Sequence, residues 1–306
     1  VKNTPIELLP LRSPLRFPGG KIRAAKKFLL HVPEHVAYRE PLCGGAALFF
    51  RKPKVKWNWL NDSHPGVYAF LTSLRDDFEQ FRELLKRIVV RTGSEARQRV
   101  HLRRVFDRLK ARRGLMTSTT DADITPRGLQ YYVLNRLVWG GRVVYDPARA
   151  CRLYFSNPEG FDNLERKLET LRLCSRKLQG VKITCIDFAK CFTGLSKKRR
   201  TFIYLDPPYM RDTAAPKMDK LYDHTFSEKD HEQLRKAVER ASHGRADVML
   251  SYGDCPKVRR LYRGYQFINL KWKYAGRQAV TRKMKQAGQK ETKVTGDELL
   301  ILNYSF

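Results

Sequence analysis

Apolar positions along the chain fall into two rhythms that alternate. Short apolar runs around 36–40, 57–62, 181–188, 202–206, 246–252, 267–274 and 298–304 read as strands. Between them, apolar residues at helical spacing predict helices over 22–30, 46–50, 65–74, 77–88, 95–113 and 228–241, the last with Ser227 as its N-cap. In the 95–113 stretch, Leu102, Val105, Phe106 and Leu109 make the inward face. Arg99, Arg103, Arg104, Lys110, Arg112 and Arg113 make the outward one. Strand and helix in alternation predict an α/β fold with a largely parallel sheet. From Leu129 to Gly160 the alternation lapses into a mixture of aromatics, amides and arginines. That stretch is either an amphipathic helix with a core Trp or a nucleic-acid-reading surface.

Charge narrows the class of partner. Among 306 residues, 61 Lys+Arg face 31 Asp+Glu, a formal net charge of +30, which draws a polyanion strongly and makes binding salt-dependent. No apolar run approaches the ~20 residues of a spanning helix, and no basic stretch carries a broad apolar face, so the expected polyanion is nucleic acid and not a membrane. The first residues lack a signal peptide's apolar segment, which predicts an intracellular protein. Six cysteines without a Cys-x-x-Cys pair predict free thiols and no metal site. His31 and His35, flanking Pro33, are expected at the surface. At 42% hydrophobic, the chain can form one large domain or a core domain with an insertion.

Candidate chemistry concentrates where the apolar runs end. The run 202–205 stops on Asp206-Pro207-Pro208-Tyr209, and neither proline can donate a ladder hydrogen bond. The acid and the ring are thereby left at the carboxyl edge of the sheet, where open α/β folds bind ligands. A carboxylate and the Pro207 carbonyl can accept two N–H bonds from an exocyclic amine while Tyr209 stacks on the base. Upstream, Phe17-Pro18-Gly19-Gly20-Lys21 makes a glycine turn with a cation before a helix. Glu40-Pro41-Leu42-Cys43-Gly44-Gly45 is the glycine turn of a strand–turn–helix unit. Asp62 ends the next strand, about where nucleotide folds bind ribose hydroxyls. The basic stretch 276–296 is expected to be a loop until a nucleic acid orders it.

These motifs agree in order and spacing with one family. Over nearly the whole chain the sequence resembles the Dam-like, D12-class N6-adenine DNA methyltransferases, whose parts bind S-adenosyl-L-methionine (AdoMet), recognise the target and catalyse transfer. The resemblance implies a Rossmann-like AdoMet-dependent methyltransferase sheet, formed by 1–75 and 175–306, with a mainly helical target-recognition domain inserted at 76–174. It makes Phe17, Gly19, Gly20, Lys21, Glu40, Pro41, Cys43, Gly44, Gly45, Asp62, Asp187, Phe188 and Asp206 the cofactor-binding residues, and Asp206, Pro207, Pro208 and Tyr209 the catalytic tetrad. The segment 131–160 resembles the recognition segment and 276–304 the closing basic hairpin. The chain departs from the family at Phe17, often tryptophan, and at Ala46, often a third glycine, so a slightly altered AdoMet affinity is expected.

The DNA contacts expected are Arg103 on phosphate, Asn135, Arg136, Trp139 and Arg142 in the recognition segment, and Arg277 in the hairpin. The activity implied is methyl transfer to adenine N6 in a specific double-stranded sequence, by base flipping and in-line attack. Such an enzyme is a monomer, cytoplasmic and nucleoid-associated, either a solitary regulator or the partner of a cognate restriction endonuclease. Two alternatives stay open on sequence grounds. One is an RNA N6-adenine methyltransferase, the other a basic DNA-binding protein that keeps an AdoMet fold without turnover.

Overall fold

The apolar runs become seven strands in the computed structural model, which describes residues 5–17, 20–22, 24–90, 93–112, 123–141, 143, 153–196, 198–210, 226–277 and 293–305, without the side chains of 271–277 and 293–297. The strands are β1 (Ala37–Glu40), β2 (Trp57–Asn61), β3 (Lys182–Thr184), β4 (Thr201–Leu205), β5 (Asp247–Gly253), β6 (Gln266–Arg277) and β7 (Lys293–Leu302). They form one sheet in the order β3-β2-β1-β4-β5-β7-β6. The first five run parallel, and β7 enters antiparallel between β5 and β6. The order reverses between β1 and β4, so Glu40 and Asp206, at the carboxyl ends of these neighbours, flank the switch point where such sheets open a crevice.

Both faces of the sheet are packed around β4, whose five residues are all buried, as a central parallel strand requires. Phe202 and Tyr204 face a cluster that extends through Phe70, Phe81, Tyr132 and Phe106. Ile203 and Leu205 face a second cluster with Leu234, Val238 and Tyr252. Helices α1 (Ala25–Phe28), α2 (Ala47–Arg51), α3 (Pro65–Asp76), α4 (Phe78–Ile88), α5 (Glu95–Ala111), α6 (Ile124–Leu137) and α7 (Leu164–Leu178) contribute to the first; α8 (Glu228–His243) and α9 (Pro256–Leu261) contribute to the second. Helix α6 lies close on α3: Phe70 and Tyr132 stack at 5.2 Å, and a Cβ on Gly128 would stand 2.7 Å from the Ala69 carbonyl oxygen. Leu102, Val105, Phe106 and Leu109 are buried as their spacing predicts, and Ser227 with Asp230 forms a reciprocal capping box on α8.

Three readings are corrected. The strand expected over 181–188 stops at Thr184, because the Asn61 side chain takes over the backbone of Ile186, accepting from its N–H at 3.1 Å and donating to its carbonyl at 2.9 Å. The last strand begins at Lys293 rather than at 298, since β6 offers it a longer antiparallel partner. His35 is half-buried against Phe202 rather than a surface residue, and burial, reinforced by Lys52, lowers its pKa to about 4. Among the described residues no helix is long and apolar enough to cross a membrane.

Candidate active site at the carboxyl edge of the sheet

The turn between β1 and α2 is set by side chains from two other segments, 13–17 and the end of β2. Gly44 sits at φ +47° with the Phe17 ring so close that a Cβ would stand 3.3 Å from it. A Cβ on Gly45 would meet Ser13 Oγ at 2.8 Å, and that hydroxyl donates to the Gly45 carbonyl at 2.5 Å. The Asp62 carboxylate accepts from Gly44 N at 2.7 Å and from His64 N at 2.9 Å, which locks the glycine turn to the end of β2. Asn61 donates to the Pro41 carbonyl at 2.9 Å, adding a second tie. Ala46, where a third glycine was the commoner residue, keeps the glycine conformation at φ 50° and is fully buried. Its methyl group costs backbone strain of about 1 kcal/mol and leaves the turn in place. Burial pushes the Cys43 thiol well above its usual range, so this cysteine serves as packing and not as a nucleophile.

Asp206 emerges from β4 into a network of donors. Its Oδ1 accepts from Lys21 Nζ at 2.8 Å and from Ser251 Oγ at 3.0 Å, and Ser251 Oγ lies 3.0 Å from the Tyr204 hydroxyl. Lys21 also lies 3.2 Å from Glu298 Oε1, and both side chains are almost wholly buried. Burial alone disfavours the charged amine, but the two carboxylates outweigh it and hold the lysine pKa above its usual value. Burial raises Glu298 to about 8 against the opposing pull of Lys21. The same cause raises Glu40 to about 8, although the Tyr38 hydroxyl donates to it at 2.8 Å. The Tyr209 ring is held beside Gly253, 5.9 Å from the Tyr252 ring, with Lys21 Nζ 4.8 Å from its centroid. Tyr252 is anchored in turn by a 2.9 Å bond to His231.

Between these two constructions lies a cavity of about 370 Å³, within the size range of small-molecule clefts. Of the residues singled out in the sequence, Phe17, Gly20, Lys21, Glu40, Cys43, Gly44, Gly45, Asp62, Asp187, Phe188, Asp206 and Pro208 line it. Pro41 sits behind the wall, bonded to Asn61. Asp187 caps the 3-10 turn Phe188–Phe192 by accepting from Ala189 N at 2.7 Å. Ser13, His64, Phe226 and Asp230 also line the cavity. Their sequence surroundings carry no motif, and only the fold brings them there.

The expected nucleic-acid contacts divide differently. Asn135 is withdrawn as a base reader: it is fully buried, its Oδ1 accepts from Arg16 N at 3.0 Å, and its Nδ2 donates to the carbonyls of Arg16 at 2.8 Å and Gly141 at 2.7 Å. It is a clamp between α6 and the segment that leads into Phe17. Arg136 is partly buried and donates to the Gly160 carbonyl at 3.1 Å. Trp139 stands 74% exposed just beyond α6, and Arg103 is exposed on α5 with an Asp107 partner at 2.9 Å. Gly19, Arg142 and most of 276–296 lie outside the described residues; Arg277 is in β6, paired with Lys293, without a described side chain.

Residues 17–275 match the family described as D12 class N6 adenine-specific DNA methyltransferases. No curated protein matches the chain. A crystal structure of protein LPL1258 from Legionella pneumophila aligns over 94% of this chain and 84% of that one at 12% identity, with a TM-score of 0.31, too low to carry any argument.

Proposed function

Because the chain belongs to the D12 class N6 adenine-specific DNA methyltransferase family, and is a DNA adenine methyltransferase, we propose that its cavity binds AdoMet and that Asp206 to Tyr209 receive an adenine turned out of duplex DNA. The observation that carries this reading is the division of labour on Asp206. Lys21 and Ser251 both hold Oδ1, and among the described residues Oδ2 has no hydrogen bond. The free oxygen and the Pro207 carbonyl are then two acceptors for the two N–H bonds of an exocyclic amine.

The cavity suits the cofactor by its shape and donor set. Its glycine turn has no room for a Cβ at Gly45, Asp62 stands beside it as a ribose acceptor, and Asp187 with Phe188 closes the far side as an adenine site. AdoMet supplies an electrophilic methyl group on a sulfonium. The protein's own part is to hold the amine. Its lone pair is delocalised into the base, and hydrogen bonds from both N–H groups favour a pyramidal nitrogen poised for in-line attack. Lys21 supports this by keeping a fixed positive charge on Oδ1, so that Asp206 works as an acceptor. Tyr209, gripped between Gly253 and Tyr252, offers a stacking face in place of the bases the adenine leaves. Trp139, exposed beside the basic end of α6, is suited to the duplex itself.

Incubating the protein with methyl-tritiated AdoMet and either duplex DNA or RNA tests the reading. Label recovered as N6-methyladenine in DNA supports it, and label in RNA alone rejects it.

A further inference from the structure

A second surface stands apart from the cleft, on the half-open face of β2. Burial alternates from Trp57 to Leu60. Asn58 and Leu60 point into the core, while Trp57 is 51% exposed and Trp59 partly exposed on the opposite face. Register extends the pattern sideways: Trp59 pairs with Arg39 of β1 and with Lys182 of β3, so cation, indole and cation form one row across three strands. Lys182 Nζ stands 3.8 Å from the Trp59 ring centroid, and the Arg39 guanidinium 5.2 Å from it. Trp57 has Arg199 at 5.0 Å and Lys56 at 5.9 Å.

Four cations thus surround two indoles, and among the described residues none of the four is ion-paired with a carboxylate. Arg39 is fixed by donating to the carbonyls of Cys191 at 2.7 Å and Thr193 at 2.6 Å. Lys56, Lys182 and Arg199 are exposed and end on long flexible stems. An exposed cation–π contact is weak, so these side chains can swing from ring to phosphate at little cost. Removing them uncovers the ring faces. Aromatic faces interleaved with mobile cations are what binds an unpaired strand, phosphates on the cations and bases on the rings. A duplex, with its bases stacked inside, offers the indoles nothing.

We propose that this face binds single-stranded DNA, as a site separate from the cleft. Trp57 opens β2 and Asp62 follows its end, so about five strand residues, roughly 16 Å, divide the two. A strand displaced or frayed near the target could be held here while the duplex is engaged elsewhere.

Fluorescence anisotropy of labelled oligothymidylate with the full chain tests the assignment, with AdoMet binding and melting temperature as controls that Trp57→Ala leaves unchanged. Trp57→Ala should weaken oligothymidylate binding about tenfold, the low end of one base–aromatic stack, and Trp57→Phe should recover most of it. Lys182→Ala with Arg199→Ala should flatten the log–log salt dependence by about 0.7 for each phosphate no longer neutralised. Parent affinity in all three variants would overturn the proposal. So would an equal loss for heparin, which has charge without bases, or tighter binding of oligouridylate than of oligothymidylate.

Discussion

Lys21, near one end of the sequence, and Glu298, near the other, meet in the interior with 3.2 Å between nitrogen and oxygen. Asp206 lies on the other side of the same ammonium at 2.8 Å. One cation therefore serves two carboxyl groups, and burial raises Glu298 to about 8 against the pull of that cation. Glu298 is a third member that fixes the lysine from behind.

Lys21→Met leaves two acids facing each other without a cation. Loss of one partner from a buried pair costs about 3 kcal/mol or more, read as a lower urea midpoint. Adding Glu298→Gln should recover part of that loss, so the double variant is more stable than the two single losses added together. Strict additivity would show that the two side chains do not interact.

Glu298 and Glu40 also set a pH dependence. Both are raised by burial from 4.5 to about 8, so the folded chain holds protons that the unfolded chain has already released. Their contribution to stability is fully present below 4.5, falls as pH rises towards 8, and is constant above it. Melting temperatures between pH 5 and 9 should show the decline, and Glu298→Gln should make it shallower.

Asp206→Ala should reduce methyl transfer far more than tenfold, a loss well above ~1.4 kcal/mol in transition-state stabilisation, while AdoMet affinity changes by about threefold or less. Single-turnover rates and calorimetry separate the two quantities. Activity within tenfold of the parent would remove Asp206 from its role.

The hydrogen bonds to Gly44 and His64 give Asp62 two duties, and two substitutions divide them. Asp62→Ala should lower AdoMet affinity and also cost about 2 kcal/mol of stability through the missing turn bonds. Asp62→Asn keeps one acceptor oxygen where Gly44 N and His64 N each bond a separate one, so it should restore at most about half of that stability, with AdoMet binding still weakened. Calorimetry and thermal melts on both variants check this, and unchanged affinity in either would end the ribose assignment.

Asn135→Ala should destabilise the protein by about 2–3 kcal/mol, for the buried bonds it leaves unmade, without altering which adenines are methylated. Trp139→Ala should leave the melting temperature unchanged and weaken duplex binding. Arg142→Ala should shift the methylated sites, and Arg103→Ala should not. Genome-wide mapping of N6-methyladenine for each variant checks the set.

Legibility followed the range of the interaction. The Gly44-Gly45 turn, the Pro207-Pro208 stop and the Ser227 cap are local signals, and each stands where its residues predict. The Lys21–Glu298 contact, the Ser13 prop under Gly45 and the Tyr209–Gly253 packing join residues far apart in sequence, and nothing local announces them. Asn135 shows a different failure. An amide that reads a base edge and an amide that clamps a backbone are the same group, and only burial tells them apart. The shortened β3 has the same origin, since Asn61 competes for backbone bonds that a ladder would have used.

The place of β7 bears on how the protein comes into being. This strand follows every other in sequence yet lies between β5 and β6, and it delivers Glu298 to Lys21. A chain growing on the ribosome therefore exposes its glycine turn, Asp62 and its Asp-Pro-Pro-Tyr segment while the sheet still has an open slot. Until β7 fills it, the edge of β5 is an unpaired template and Lys21 lacks its second carboxyl partner, so the nascent chain depends on that strand both to seal its sheet and to fix that lysine.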